Sequence, residues 1–180
     1  MANEEHRLTP AELADKAWHL AEKIRIALLT SWDGEQQRIR PLSATVDRDA
    51  DAIQFLIGAH GGTTLAEATG APALTLVQQV EKFPTVTLAF ADHGSHDYVT
   101  ITGQAVVSND RARIKELWTP FAKAWWDSAD DPEIRLLTVT PENAEIWEGP
   151  NQLVATAIML TAAVTGAKPA VGDHGAVRLG

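Results

Sequence analysis

Seven short segments of this chain are rich in β-branched and apolar residues, and most are joined by connections of hairpin length. That succession, more than any single motif, limits the folds open to it. The segments are RIALLTSW (25–32), QRIRPLSATVD (37–47), AIQFLIG (52–58), TVTLAFAD (85–92), DYVTITGQAVVS (97–108), IRLLTVTP (134–141) and AEIWEG (144–149). Asp33-Gly34 is a hairpin turn signal between the first two. Pro41 lies inside the second, which places that strand at a sheet edge or a bulge. Short connections favour antiparallel pairing, and six or seven such strands close into a small barrel with helices packed outside. The expected class is therefore mainly β (α+β). A doubly wound parallel fold needs regular strand–helix alternation, which is missing.

The helical segments punctuate that pattern. Thr9, Pro10 and Glu12 form a capping box with proline at the first helical position, and Leu13, Ala17, Leu20, Ala21 and Ile24 recur at helical spacing. Thr63 to Glu67 reads as a helix start, LTLVQQVEKF (74–83) as a second helical piece ended by Pro84, and Asn109 or Asp110 as the cap of a third running towards Trp118. PFAKAWW (120–126) reads as a further helical stretch, 153–166 as a packed C-terminal helix, and GDHGAVRLG (172–180) as a polar tail. No repeat or linker divides the chain, so residues 1–180 are expected to form one domain.

Charge and composition narrow the function. A net charge of −9 argues against non-specific binding to nucleic acid or to anionic membrane. The chain has no cysteine, which removes disulfides, thiolate chemistry and cysteine-ligated metal, and fits a reducing cytoplasm. MANEEHRLTP is too polar for a signal peptide, and the apolar run at 153–166 is shorter than the roughly 18 to 20 residues of a membrane span.

Four sets of residues are candidates for chemistry. Arg40 sits on a strand of an acidic chain. Its planar donors match phosphate oxygens, and Ser43 would add a hydroxyl; a strand arginine is also commonly just solvent-exposed. GAHGGTT (58–64) offers backbone amides and the hydroxyls of Thr63 and Thr64 to an anion, or is an ordinary loop; it is neither a Walker loop nor a dinucleotide fingerprint. Trp118, Phe121 and Trp125 share one helical face, the pattern of a core or subunit-interface stripe, with Trp126 pointing elsewhere. Trp147 and Tyr98 stand at strand ends where a ring meets a ligand. His93 and His96 flank a turn, with Asp92 and Asp97 beside them; turn chemistry accounts for them as well as a metal does, and no metal is expected.

The order of RPLSA, IQFLIG, TVTLAFAD, DYVTITGQA, ELWTPFAKAWW, DDP, LLTVTPENAEIWE and the tail VTG…HG resembles the general stress protein 26 group of the pyridoxamine 5′-phosphate oxidase-like proteins, from about Leu13 to the tail. The resemblance implies an FMN-binding split β-barrel and a homodimer with the cofactor in a cleft between subunits. On that basis Arg40 meets the phosphate, and Pro41, Leu42 and Ser43 lie along the ring system. Tyr98 follows the flavin edge, Trp147 closes the site from the partner subunit, and Trp125 lies nearby in the AW motif. Two positions depart from the family. Ile57, followed by Gly58, stands where a phosphate-binding Thr or Ser is usual. Thr63, or on another alignment Leu76, stands where Lys is usual, with an insertion at LAEATGAPAL or its neighbours.

The resemblance implies an FMN-dependent oxidoreductase with a small-molecule redox partner. FAD or a deazaflavin is accepted by similar barrels. No set of substrate-phosphate residues stands out, so oxidation of vitamin B6 is not expected, and no catalytic acid or base is identified. A non-catalytic binder of flavin or another phosphate-bearing cofactor is the alternative from a different class. A degenerate barrel that binds none and acts through its dimer surface is a third.

Overall fold

The computed structural model describes residues 8–60, 74–149 and 173–179. Thr63, Thr64, the helix start at 63–67 and the apolar run at 153–166 lie outside the described residues.

Helix α1 (Pro10–Ile24) forms where the capping box predicts. The backbone N–H of Thr9 donates to Glu12 at 2.8 Å, and that of Glu12 donates to the Thr9 hydroxyl at 3.3 Å. The helix ends at Arg25, whose left-handed backbone (φ 66°) returns an N–H to the carbonyl of Ala21. Its buried face of Ala17, Trp18, Leu20 and Ala21 joins the main core. Lys16 pairs with Glu148, and Lys23 pairs with Asp92 at 2.9 Å, so the middle and the C-terminal end of α1 are tied to the sheet.

Strands β1 (Ile26–Trp32), β2 (Gln37–Ser43), β3 (Thr45–Asp47) and β4 (Ala52–Gly58) follow. Then come α2 (Leu76–Lys82), β5 (Thr85–Asp92), β6 (Asp97–Ser108), α3 (Arg111–Leu117), a 3₁₀ turn (Pro120–Ala124), β7 (Ile134–Glu148) and β8 (Asp173–Arg178). Every pairing is antiparallel. The sheet order is β2-β1-β5-β6-β7-β4-β3, with β8 also on β7. Strands β2 and β3 are joined by Ala44 alone yet lie at opposite ends of this order, so the sheet must curl round until its ends meet. The result is a split barrel whose opening falls between β2 and β3. Ala44 marks the break, its N–H donating to the carbonyl of Arg25 at 2.7 Å. Pro41 therefore lies on an edge strand, as its missing donor requires.

Strict alternation fills the barrel. Ala27 and Leu29 of β1, Val86, Leu88 and Phe90 of β5, and Val99 and Ile101 of β6 all point inward, with Phe55 and Leu137 from β4 and β7.

Two segments depart from the sequence reading. IRLLTVTP and AEIWEG are one strand, β7, and GDHGAVRLG supplies a further strand, β8, rather than a tail. Residues 134–139 of β7 pair with β4 and residues 143–148 with β8. Pro141 falls in the gap between those two partners, opposite a register shift at Gly103 of β6, so its missing N–H breaks no ladder bond on that side.

The aromatic stripe also differs. Helix α3 stops at Leu117, and Pro120 opens a separate 3₁₀ turn, so Trp118, Phe121 and Trp125 do not share a helix face. Trp118 and Trp126 pack on a small second core of Ile114, Ile134 and Leu136. Phe121 and Trp125 are 87% and 80% exposed.

Candidate functional site

The side chains of β2 alternate across the barrel wall. Register with β1 sets Arg40 opposite Leu29 and Arg38 opposite Ser31, so both arginines face inward, as does Leu42, which packs on the core. Pro41 and Ser43 are exposed on the outer face, opposite Leu28 and Ile26. Arg40 and its neighbours in the RPLS motif thus serve two different surfaces.

Arg38 and Arg40 have different surroundings. The guanidinium of Arg38 meets the Asp33 carboxylate at 2.5 Å. Asp33 also accepts backbone N–H bonds from Glu35 and Gln36 at 2.9 and 2.8 Å, closing the turn at Gly34, where φ is 104°. Those backbone bonds, Gln36 before Glu35, and then Arg38, hold the Asp33 carboxyl down at about 2. The nearest carboxylate is therefore already engaged. Arg40 donates instead to neutral oxygens: from Nη1 to Ser31 Oγ at 2.9 Å and to Gln79 Oε1 at 3.2 Å. Burial first, and the charge of Arg38 second, lower its guanidinium from the ordinary value, with Asp33 acting the other way. It keeps its proton nonetheless. Among the described residues no carboxylate forms an ion pair with Arg40. A half-buried cation with only neutral partners is a natural place for an anion.

Ser31 and Gln79 are the residues the sequence reading missed. Ser31 is 2% exposed and Gln79 0%. Their signal was positional: Ser31 occupies the inward phase of β1 after Ala27 and Leu29, and Gln79 interrupts the buried face of Leu76 and Val80 on α2.

The other predicted residues are dispersed. The side chain of Ile57 is buried in the core at 5% exposure, and Leu76 equally so, so neither offers a polar group to a phosphate. Gly58 ends β4 opposite Ile134. Tyr98 and Trp147 are cross-strand partners on the outer face, and the Trp147 ring stacks on His174 of β8 with centroids 5.1 Å apart and planes at 27°. In the sheet order β1, β5 and β6 stand between β2 and β7 on one side, and β4 and β3 on the side that closes at Ala44. Trp125 lies on the exposed turn after Ala124. In the β5–β6 turn, Asp92 is bound by Lys23 and by the Gly94 N–H. Among the described residues no three His, Asp or Glu side chains gather as a metal site.

Residues 12–170 match the family described as pyridoxamine 5′-phosphate oxidase like. The chain belongs to that family. A relative from Bacillus subtilis (strain 168), general stress protein 26, is 26% identical over 106 residues, which cover 57% of this chain and 75% of the relative. Among solved structures, a protein of Jannaschia sp. CCS1 assigned provisionally to general stress protein 26 superposes with a TM-score of 0.64 at 28% identity, covering 94% of this chain and 99% of that one. The general stress FMN/FAD binding protein of Xanthomonas citri superposes with a TM-score of 0.61 at 26% identity, over 77% of this chain and 89% of that one. The split barrel and the general stress protein 26 likeness implied by RPLSA and LLTVTPENAEIWE are thus borne out in sequence and in structure. Among the described residues no helix is long and apolar enough to cross a membrane.

Proposed function

We propose that this chain is a cytoplasmic flavin-binding protein of the pyridoxamine 5′-phosphate oxidase-like family, with FMN as its cofactor and a flavin-dependent redox reaction as its activity. The observation that carries the reading is Arg40: a half-buried guanidinium on the β2 edge strand, held by neutral groups and matched by no carboxylate among the described residues. A phosphate supplies the missing counter-charge. The FMN/FAD binding of the Xanthomonas citri relative supports the same assignment.

The residues present suit such a group unevenly. Arg40 fits a phosphate. Pro41 and Ser43 offer an exposed strand edge along which a planar ring lies, and Tyr98 and Trp147 offer aromatic surface. On this reading a second subunit whose Trp147 covers the Pro41–Ser43 edge completes the site. The outer face supports that assembly, with Ile26, Leu28, Trp32 and Ile39 all partly or largely exposed. When bound, the isoalloxazine supplies the electron-accepting chemistry; the chain supplies binding, orientation and exclusion of water.

The test is titration of purified protein with FMN while flavin fluorescence is followed, for the native chain and for Arg40→Ala. Loss of a charge-assisted phosphate contact should cost about 1.5–3 kcal/mol of affinity. Equal affinity in the two proteins would move the phosphate elsewhere.

One observation favours a second reading, a barrel that has lost its flavin. The usual Thr or Ser helper is replaced by the buried Ile57, and on the alignment that sets Leu76 rather than Thr63 at the Lys position, that helper is replaced by a buried residue as well. On that reading neither protein quenches FMN.

A further inference from the structure

We propose that Gln79 and Ser31 are positioning residues, which aim Arg40 at a phosphate-bearing ligand while leaving its charge uncancelled. This rests on the reading of Arg40 as a phosphate contact.

The orientation of the Gln79 amide carries the argument. A primary amide at 0% exposure must satisfy both its ends. Its Nε2 donates to the carbonyl of Leu74 at 2.6 Å, and a carbonyl can only accept, so the nitrogen is assigned to that side. Oε1 therefore faces the barrel, where it accepts from Ser31 Oγ at 2.7 Å and from Arg40 Nη1 at 3.2 Å. The Ser31 hydroxyl spends its proton on Gln79 and accepts from Arg40 with its lone pair. Every proton in the chain of contacts has one direction, running outward from Nη1: to Ser31 Oγ and Gln79 Oε1, from Ser31 on to Oε1, and from Gln79 Nε2 to Leu74. The opposite edge of the guanidinium, Nε and Nη2, donates to no described group. That edge is the fork that grips two oxygens of one phosphate.

The clamp is neutral, and the chemistry of the site depends on that. A glutamate at position 79 would accept the same two hydrogen bonds but would neutralise Arg40. Asp33, the carboxylate nearest in the turn, is meanwhile occupied by Arg38 and two backbone amides. In a chain of net charge −9, a cation kept clear of carboxylates in this way is a local positive spot in a negative field.

The experiment compares FMN with riboflavin, which shares the ring and the ribityl chain but lacks the phosphate. Affinities are read by flavin fluorescence quenching at neutral pH for the native chain, Arg40→Ala, Gln79→Glu, Gln79→Met and Ser31→Ala. The native protein should prefer FMN. Arg40→Ala should reduce the FMN-to-riboflavin affinity ratio roughly tenfold or more. Gln79→Glu keeps the two bonds accepted by Oε1 and sets a carboxylate beside the arginine, while losing the Nε2 bond to Leu74; it should reduce the ratio comparably with Arg40→Ala. Gln79→Met and Ser31→Ala, which loosen the clamp without adding charge, should reduce it severalfold. Ser31→Ala leaves the Gln79 bond to Leu74 intact and keeps the test valid if either Gln79 variant does not fold. A ratio that collapses in Arg40→Ala but stays native in Gln79→Glu and Ser31→Ala overturns the positioning role and leaves the phosphate reading standing. So does an equal fall in both affinities, the mark of a merely structural contact. A native protein without preference for FMN, or an Arg40→Ala variant with the native ratio, overturns both readings.

Discussion

Asp33 does two jobs from one position. Its carboxylate closes the β1–β2 turn by accepting the Glu35 and Gln36 amides, and it absorbs the charge of Arg38. Its folded carboxyl titrates at about 2, below the ordinary carboxylate value. A depressed folded pKa means that the contribution to stability is complete above roughly pH 4 and is lost as pH falls through about 2. Asp33→Asn can still accept hydrogen bonds in the turn but cannot titrate. Urea midpoints measured in steps from pH 5 to pH 2 should therefore fall less steeply for Asp33→Asn than for the native chain, and parallel curves would show that Asp33 contributes nothing to the acid limb. At this scale the sequence was partly legible. Arg40 stood out because a basic Arg-Pro strand in an acidic chain asks for a counter-charge. Ser31 and Gln79 did not, because a serine or glutamine signals something only once the inward phase of its strand or helix is known. Ile57 and Leu76 were legible as departures from a pattern, and their burial gives the physical reason: both positions are used for core packing.

Most of the elements could be read from the sequence. The capping box of α1, the edge placement of Pro41 and the β5–β6 hairpin all formed as local chemistry dictates. Apart from β8, read as a polar tail, the exceptions at Pro141 and Pro120 share one cause, which is that proline was read locally and its tolerance is decided by tertiary neighbours. Pro141 looked like the end of a strand, yet β7 runs through it because β4 and β8 leave that point unpaired. Pro120 looked compatible with a continuing helix, yet it opens a separate turn and sends Trp125 outward. The β7 arrangement makes a sharp demand on Gly103. A Cβ there would lie 2.2 Å from the Thr140 carbonyl oxygen and 2.9 Å from Pro141 Cα, both backbone atoms that cannot swing aside. Gly103→Ala should cost at least about 1–3 kcal/mol, the range for overpacking, and lower the thermal midpoint accordingly. An unchanged midpoint would mean that β6 and β7 are less closely apposed at the bulge than described.

For the whole molecule, the strand order sets how the wall closes: curling the sheet brings β2 and β3 together, with Trp147 on β7, four places from β2 by way of β1, β5 and β6. On the proposed reading a second copy of the chain supplies Trp147, and the apolar outer face of β1 and β2 is available to join the two: Leu28 is 44% exposed and Ile39 64%. Light scattering at micromolar concentration should give the mass of a dimer. Ile39→Lys combined with Leu28→Lys should shift it towards monomer and weaken flavin binding in parallel. A native monomer, or a monomeric variant that binds flavin as well as the native chain, would contradict a shared site. A small antiparallel barrel was legible in the sequence because hairpin connections admit few alternatives, while its split form was implied by the resemblance. A site shared between subunits was likewise implied only by the resemblance.

The account stands or falls on whether this chain holds a flavin despite Ile57 and the missing Lys. The most direct measurement is the visible absorption spectrum of the purified protein, followed by titration with FMN under fluorescence detection. A flavin band in the spectrum, or saturable quenching near one FMN per subunit, is the result predicted. A colourless protein that leaves FMN and FAD fluorescence unchanged would contradict it, and would mean that Arg40 is held ready for a different anion or for none.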